Sequence, residues 1–200
     1  MAFRHAVAKV QQGYSNRQRI PLPFGRIDVP LLQIRQTMIR DAVAADLPAV
    51  VDIYNASIPG RMATADLAPV SVADRQAWFA EFDPGRRPLW IYGSADDAQV
   101  LGWLSLRSFY GRPAYAETVE VGVYTHPAAQ RRGVGRQLLD HAIELGPGLG
   151  ISTLLAFTFA HNVPSVGLFK SAGFQTWGEL PQVARLDGVA RDLLILGRPL

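Results

Sequence analysis

Three valines at alternate positions, Val119, Val121 and Val123, interleave with Glu120, Gly122 and Tyr124. That two-residue period reads as a strand with one buried face. Pro127 ends it, because its ring fixes φ and removes an amide donor. The period then lengthens: Val134, Leu138, Leu139, Ala142, Ile143 and Leu145 make one apolar stripe at helical spacing. Between strand and helix lies Gln130-Arg131-Arg132-Gly133-Val134-Gly135-Arg136, a basic turn containing Gly-x-Gly. A helix that opens in such a turn presents unpaired N–H groups and the positive end of its dipole, a natural site for an anion.

The same reading predicts the other elements. Residues 39–42 read as a short strand, and Asp46 as the N-cap of a helix with Pro48 in its first turn. Leu47, Val50, Val51 and Tyr54 form that helix's inner face, and Pro59-Gly60 stops it. Ser71 caps a second helix carrying Trp78, Phe79 and Phe82, closed by Asp83-Pro84-Gly85. Residues 89–93 and 100–109 pair as a hairpin over a turn at Ala95-Asp96-Asp97. Residues 151–159 are apolar, β-branched and aromatic, as a strand buried on both faces requires. A helix from about Pro164 to Ser171 precedes two last strands, near 174–184 and 189–197, joined at Leu186-Asp187-Gly188. The length of 200 residues suits one α/β domain.

Composition changes this picture at one end only. Residues 1–37 carry Arg4, Lys9, Arg17, Arg19, Arg26 and Arg35 against Asp28 alone, a net +5 that leaves −2 for the other residues of a chain whose total is +3. The basic character therefore belongs to the extension, and it gives no ground for expecting the folded part to bind nucleic acid. With Pro21, Pro23 and Pro30 and no sustained period, residues 1–37 are expected to be a disordered arm, an over-long start or a basic, acid-poor targeting segment. Met38-Ile39-Arg40-Asp41 runs straight into the first strand. No apolar run reaches the roughly 18 residues of a membrane span. The chain has no cysteine, so it has no disulfide, thiolate metal site or cysteine nucleophile, as suits a reducing cytoplasm.

The basic turn lacks the Gly-Lys-Ser/Thr of a P-loop and the longer Gly-x-Gly-x-x-Gly of a dinucleotide site. Glu120 in its strand, then Gln130-Arg131-Arg132-Gly133-Val134-Gly135, then Asn162-Val163-Pro164-Ser165-Val166 with Phe169, Gly173 and Phe174, follow one another in this order. Together they resemble the GNAT superfamily of N-acetyltransferases. Tyr54-Asn55, Glu120-x-x-Val123-Tyr124-x-x-Pro127 and Arg191-Asp192 are similar to the phosphinothricin N-acetyltransferase branch. The resemblance covers residues 38–200. It implies an α/β (α+β) GNAT fold with a mixed, mostly antiparallel twisted sheet of six to seven strands flanked by about four helices.

The resemblance also implies acetyl-CoA as cosubstrate, with no metal. Val123, Tyr124 and Thr125 would pair with the pantetheine arm, and Gln130, Arg131, Arg132, Gly133, Val134, Gly135 and Arg136 would hold the pyrophosphate. Asn162, Ser165 and Phe169 would complete the cofactor contacts. Glu120 shares a strand face with Gly122 and Tyr124. An amine must lose a proton before it attacks an acyl group, so Glu120 is expected either to act as general base or to anchor the ammonium. His161 is expected to be structural. Family members carry tyrosine or histidine where this chain has Phe169, which has no proton to give to the departing thiolate. Tyr124 or water remain for that step.

Tyr54, Arg61, Arg112 and Arg191 are the candidate acceptor contacts, the arginines because a guanidinium pairs with a carboxylate or phosphinate. The expected function is acetylation of a small amino-acid-like amine by direct transfer, in a cytoplasmic homodimer. The alternatives are a protein or peptide N-terminal acetyltransferase and a silent acetyl-CoA sensor.

Overall fold

The computed structural model describes residues 37–94 and 99–200. The expectations for residues 1–36 and for the turn at 95–97 lie outside the described residues. The strands are β1 Thr37–Asp41, β2 Leu89–Ser94, β3 Val100–Ser108, β4 Thr118–Thr125, β5 Thr153–Phe159, β6 Gln175–Leu186 and β7 Val189–Pro199. The helices are α1 Leu47–Ser57, α2 Val72–Phe79, α3 Val134–Leu145 and α4 Val163–Ser171. One sheet takes the order β1-β2-β3-β4-β5-β7-β6. All neighbours are antiparallel except β4 and β5. The sheet is thus mixed and mostly antiparallel, as expected.

Side-chain alternation divides the core into two layers. Val119 and Val121 of β4, with Leu104 and Leu106 of β3 and Trp90 of β2, pack against Val134, Leu138, Leu139 and Ala142 of α3. The opposite face carries Leu89, Ile91 and Trp103, which pack against Val50 and Ile53 of α1, with Trp78 and Phe79 of α2 alongside. Glu120, Gly122 and Tyr124 have the parity of this second face, and Tyr124 packs against that cluster. The valines of β4 are under α3, and the residues with chemistry face α1 and α2.

The parallel pair is short. Thr118, Val119 and Glu120 register with Thr153, Leu154 and Leu155, and the pairing stops there. Beyond Glu120, β4 keeps its partner β3 as far as Thr125. Its β5 side is left open, and the N-terminal ends of α3 and α4 lie beside that opening. The β6–β7 hairpin turns at Asp187 and Gly188, both with positive φ (46° and 84°), the pattern of a type I′ turn.

Ser71 and Asn162 cap α2 and α4 through their side chains, accepting from Asp74 N–H and Ser165 N–H. Asp46 does not cap α1 in that way. Its carboxylate instead receives both guanidinium nitrogens of Arg40 at 2.6 and 2.7 Å and the amide of Val43 at 2.8 Å. A one-turn 3₁₀ segment, Ala44–Asp46, precedes α1 and rotates Asp46 toward β1.

The Arg40 hydrogen bond is the main cause holding the Asp46 carboxyl below the usual carboxylate range, against the opposing effect of burial. A depressed folded pKa means that this contribution is complete above the unfolded value of about 4 and is lost as pH falls through the folded value. Asp46→Asn is therefore expected to cost about 1–3 kcal/mol at neutral pH. Urea denaturation at pH 7 and again near pH 3 checks this, since the difference from wild type should shrink at the lower pH.

Candidate active site

Two cavities meet at Tyr124, whose ring lines both. The larger, about 580 Å³, occupies the opening where β5 leaves β4. Its walls are Val123 and Thr125 of β4, Gln130, Arg131 and Gly133 of the turn, Val134, Gly135 and Arg136 of α3, and Asn162, Ser165 and Leu168 beside or on α4. Met62 and Ala63, from the loop after α1, close it on the side of the smaller cavity.

Gly133 is the N-terminal boundary residue of α3 with φ of 81°, a conformation that favours glycine. A Cβ on Gly135 would lie 3.2 Å from Leu168, 3.6 Å from Val123 and 3.7 Å from Thr125, three residues that line the cleft. Its absence therefore lets α3 approach α4 and β4 at the cleft wall. Arg136 is held along its own helix, with Nε 2.8 Å from both oxygens of Asp140, and it also reaches the carbonyl of Ser171 at 3.3 Å.

Two residues expected at the cofactor are not on the wall of this cleft. Phe169 is buried in the core, edge-on to Phe174 at 5.0 Å, and is on the wall of neither cavity. Helical rotation explains it: Leu168 takes the cleft-facing position, and the next residue turns inward. Arg132 is exposed and outside the cleft wall.

The smaller cavity, about 150 Å³, lies between the sheet and α1–α2. Its floor is three cross-strand pairs of β3 and β4: Arg107 opposite Glu120, Ser105 opposite Gly122, and Trp103 opposite Tyr124. The middle pair has little bulk, and a Cβ on Gly122 would come 3.0 Å from Ser105 Oγ. Aromatic rings form one end. Tyr124 stacks on Trp103 at 4.4 Å and tilts against Tyr54 at 5.2 Å, while Trp78 meets Trp103 edge-on at 5.8 Å.

The rim is a hydrogen-bonded group. Tyr54 donates to Asp66 at 2.5 Å and lies 2.6 Å from Thr64 Oγ1. Arg75 donates to the same Asp66 oxygen at 3.0 Å and sits 4.8 Å above the Tyr54 ring. Burial, then Asp66, push the Tyr54 hydroxyl up. Burial raises Tyr124 still further, with Tyr54 and Glu120 adding to it, so Tyr124 is a neutral phenol at physiological pH. Its hydroxyl donates to the Ala63 carbonyl at 3.3 Å.

Of the four expected acceptor contacts, Tyr54 alone lines this cavity. Arg61 pairs with Asp187 at 2.7 Å, tying the loop after α1 to the β6–β7 turn. Arg112 is exposed in the loop before β4, and Arg191 is half-buried on β7. His161 and Asn162 fasten the same loop from the β5–α4 side. His161 Nε2 is 2.9 Å from the Arg61 carbonyl, and the Asn162 amide donates to the Met62 carbonyl at 2.9 Å while its oxygen caps α4.

Sequence reading missed Arg75, Arg107, Trp78 and Trp103 as cavity residues. The signals were present: Trp103, Ser105 and Arg107 alternate with Leu104 and Leu106, and Arg75 precedes Trp78 at helical i, i+3 spacing. The register of β3 on β4 was needed to make them neighbours of Glu120.

Among the described residues no cluster of His, Cys, Asp or Glu suits a metal ion, and no helix is long and apolar enough to cross a membrane. Comparison with known proteins agrees with the geometry. The acetyltransferase (GNAT) family matches residues 48–174. YwnH of Bacillus subtilis, which carries a provisional phosphinothricin acetyltransferase name, is 46% identical over 162 residues, 81% of this chain and 98% of its own. An L-methionine sulfoximine/L-methionine sulfone acetyltransferase of Pseudomonas paraeruginosa is 34% identical over 158 residues, 79% of this chain and 91% of its own. The crystal structure of a phosphinothricin acetyltransferase from Sinorhizobium meliloti with acetyl-CoA superposes with a TM-score of 0.76 at 28% identity, covering 82% of this chain and 88% of that one. The chain belongs to the GNAT family of acetyltransferases.

Proposed function

We propose that this protein is an acetyl-CoA-dependent N-acetyltransferase of small amino-acid-like amines, of the phosphinothricin and methionine sulfone type. The observation that carries the reading is the meeting of two cavities at Tyr124, one opened by the parting of β4 and β5, the other floored by Glu120. The cleft residues suit acetyl-CoA. The α3 N-terminus and Arg131 offer amides and charge to a pyrophosphate, and the open side of β4 offers backbone groups to the amides of an extended arm.

In this reading Glu120 takes a proton from the acceptor ammonium. The amine nitrogen then attacks the thioester carbonyl, a C–N bond forms, the nitrogen sheds its second proton to solvent, the C–S bond breaks, and CoA leaves as thiolate. A β4 N–H near Val121 polarises the carbonyl. With Phe169 in the core, the departing sulfur takes its proton from solvent or from Tyr124, which lines both cavities. A cavity of about 150 Å³ suits a small acceptor better than a protein N-terminus. The proposal includes a cytoplasmic homodimer, on the resemblance to the phosphinothricin branch.

The test is thiol release from acetyl-CoA in the presence of amino acids, methionine sulfone, methionine sulfoximine and phosphinothricin. Turnover with one or more of these acceptors is the expected result. Failure with every small amine would overturn the reading.

A further inference from the structure

We propose that Arg107 binds the α-carboxylate of the acceptor while Glu120 receives its amine, so that the β3–β4 pair forms a receptor for free α-amino acids. The inference rests on the acetyltransferase reading above and names the acceptor class.

Arg107 and Glu120 are register partners on the cavity side of the sheet. Directly opposed residues on one face hold their Cβ atoms about 4.5–5.5 Å apart. Such a pair would ordinarily form a salt bridge. Here Arg107 instead reaches Glu81 at 3.3 Å, and among the described residues no ion pair or hydrogen bond joins it to Glu120. The contact with Glu81 is a surface pair, with side chains 46% and 60% exposed. Pairs of that kind hold weakly and exchange readily.

The cavity therefore shows a cation and an anion side by side, each with capacity to spare. An α-amino acid is their complement, since its nitrogen and carboxyl carbon are separated by about 2.5 Å across one tetrahedral carbon. The guanidinium fork can take both carboxylate oxygens. With the two charged ends placed on this pair, the remaining space runs over Ser105 and Gly122 toward Trp103, Trp78 and Tyr54, where the acceptor's side chain would lie.

Arg75, the other guanidinium on this wall, is already occupied. It donates to Asp66 and stacks over Tyr54 at 4.8 Å and Trp78 at 5.8 Å. It shapes the rim, and Arg107 is left as the cation available to a ligand.

The experiment compares L-methionine sulfone with its primary amide, which keeps the amine and side chain and lacks the negative charge. Arg107→Met should raise KM for the acid by roughly 10- to 100-fold. It should leave KM for the amide, KM for acetyl-CoA and the melting temperature unchanged. Arg107→Lys should recover part of the loss. The lower amine pKa of the amide affects both proteins alike and cancels when their acid-to-amide ratios are compared.

An equal change for acid and amide, or none for either, overturns the proposal; the first would mean that Arg107 acts on Glu120 instead. Calorimetric binding of methionine sulfone separates this from a failure of the functional reading. Binding by wild type that is lost in Arg107→Met supports the receptor even where no acetyl transfer occurs, and binding equal in both proteins overturns it.

Discussion

Glu120→Gln is expected to lower kcat by roughly 10²- to 10⁴-fold, the usual loss when a positioned proton acceptor is removed. Acetyl-CoA affinity should be retained. Glutamine has the shape of glutamate, but its amide does not accept a proton at neutral pH. Glu120 is on the floor of the acceptor cavity and outside the wall of the cofactor cleft, so the two effects should separate. Rapid-quench or steady-state thiol release gives the first quantity and calorimetry with acetyl-CoA the second. Unchanged kcat with a raised acceptor KM would reassign Glu120 as an anchor for the ammonium. Unchanged kcat and KM together would remove it from the mechanism.

Trp103→Ala should produce the largest loss of stability, about 3–5 kcal/mol, as expected for emptying the volume of a buried indole. Trp103 is 3% exposed and belongs to the layer formed with α1. It stacks on Tyr124 at 4.4 Å, meets Trp78 edge-on, and donates its indole N–H to the Val50 carbonyl at 3.1 Å. Alanine removes all three contacts at once and joins a void to the acceptor cavity. Against a typical total of 5–15 kcal/mol, such a loss approaches the limit of folding. Trp103→Phe keeps much of the ring contact and loses the hydrogen bond, at a cost nearer 1 kcal/mol plus some packing. Urea denaturation of both variants measures the difference. A loss below about 1 kcal/mol for the alanine variant would show that α1 and the sheet close over the gap.

The element order was legible in the sequence because most elements carry a clear period. Val119 and Val121 of β4 and Val134, Leu138, Leu139 and Ala142 of α3 lie where their spacing put them, buried in the same layer, whereas Leu145, expected in the same stripe, is exposed at the end of the helix. Ser71 also caps the helix it precedes, since a cap is a contact within a few residues. Asp46 shows the limit of that logic. It occupies a cap position by sequence, but a guanidinium from β1 competes for the same carboxylate, and the bidentate pair prevails.

The acceptor site was less legible. Arg61, Arg112 and Arg191 were candidates by charge, since a guanidinium pairs with a carboxylate. Arg61 is held by Asp187 more than a hundred residues away, and Arg112 and Arg191 point to neither cavity wall. The arginines that do line the acceptor cavity, Arg75 and Arg107, come from α2 and β3. Neither stands out along the chain.

Sequence alone determined the strand–turn–helix around Gly133, the family, and the parity that places Glu120 on the face opposite the valines. These rest on period, turn chemistry and motif, which act between near neighbours. Only the tertiary structure decided that β4 and β5 part after Glu120, that Phe169 turns into the core, and that Arg107 stands opposite Glu120. Those outcomes depend on strand register and helix rotation, which are set by packing between segments far apart in the chain.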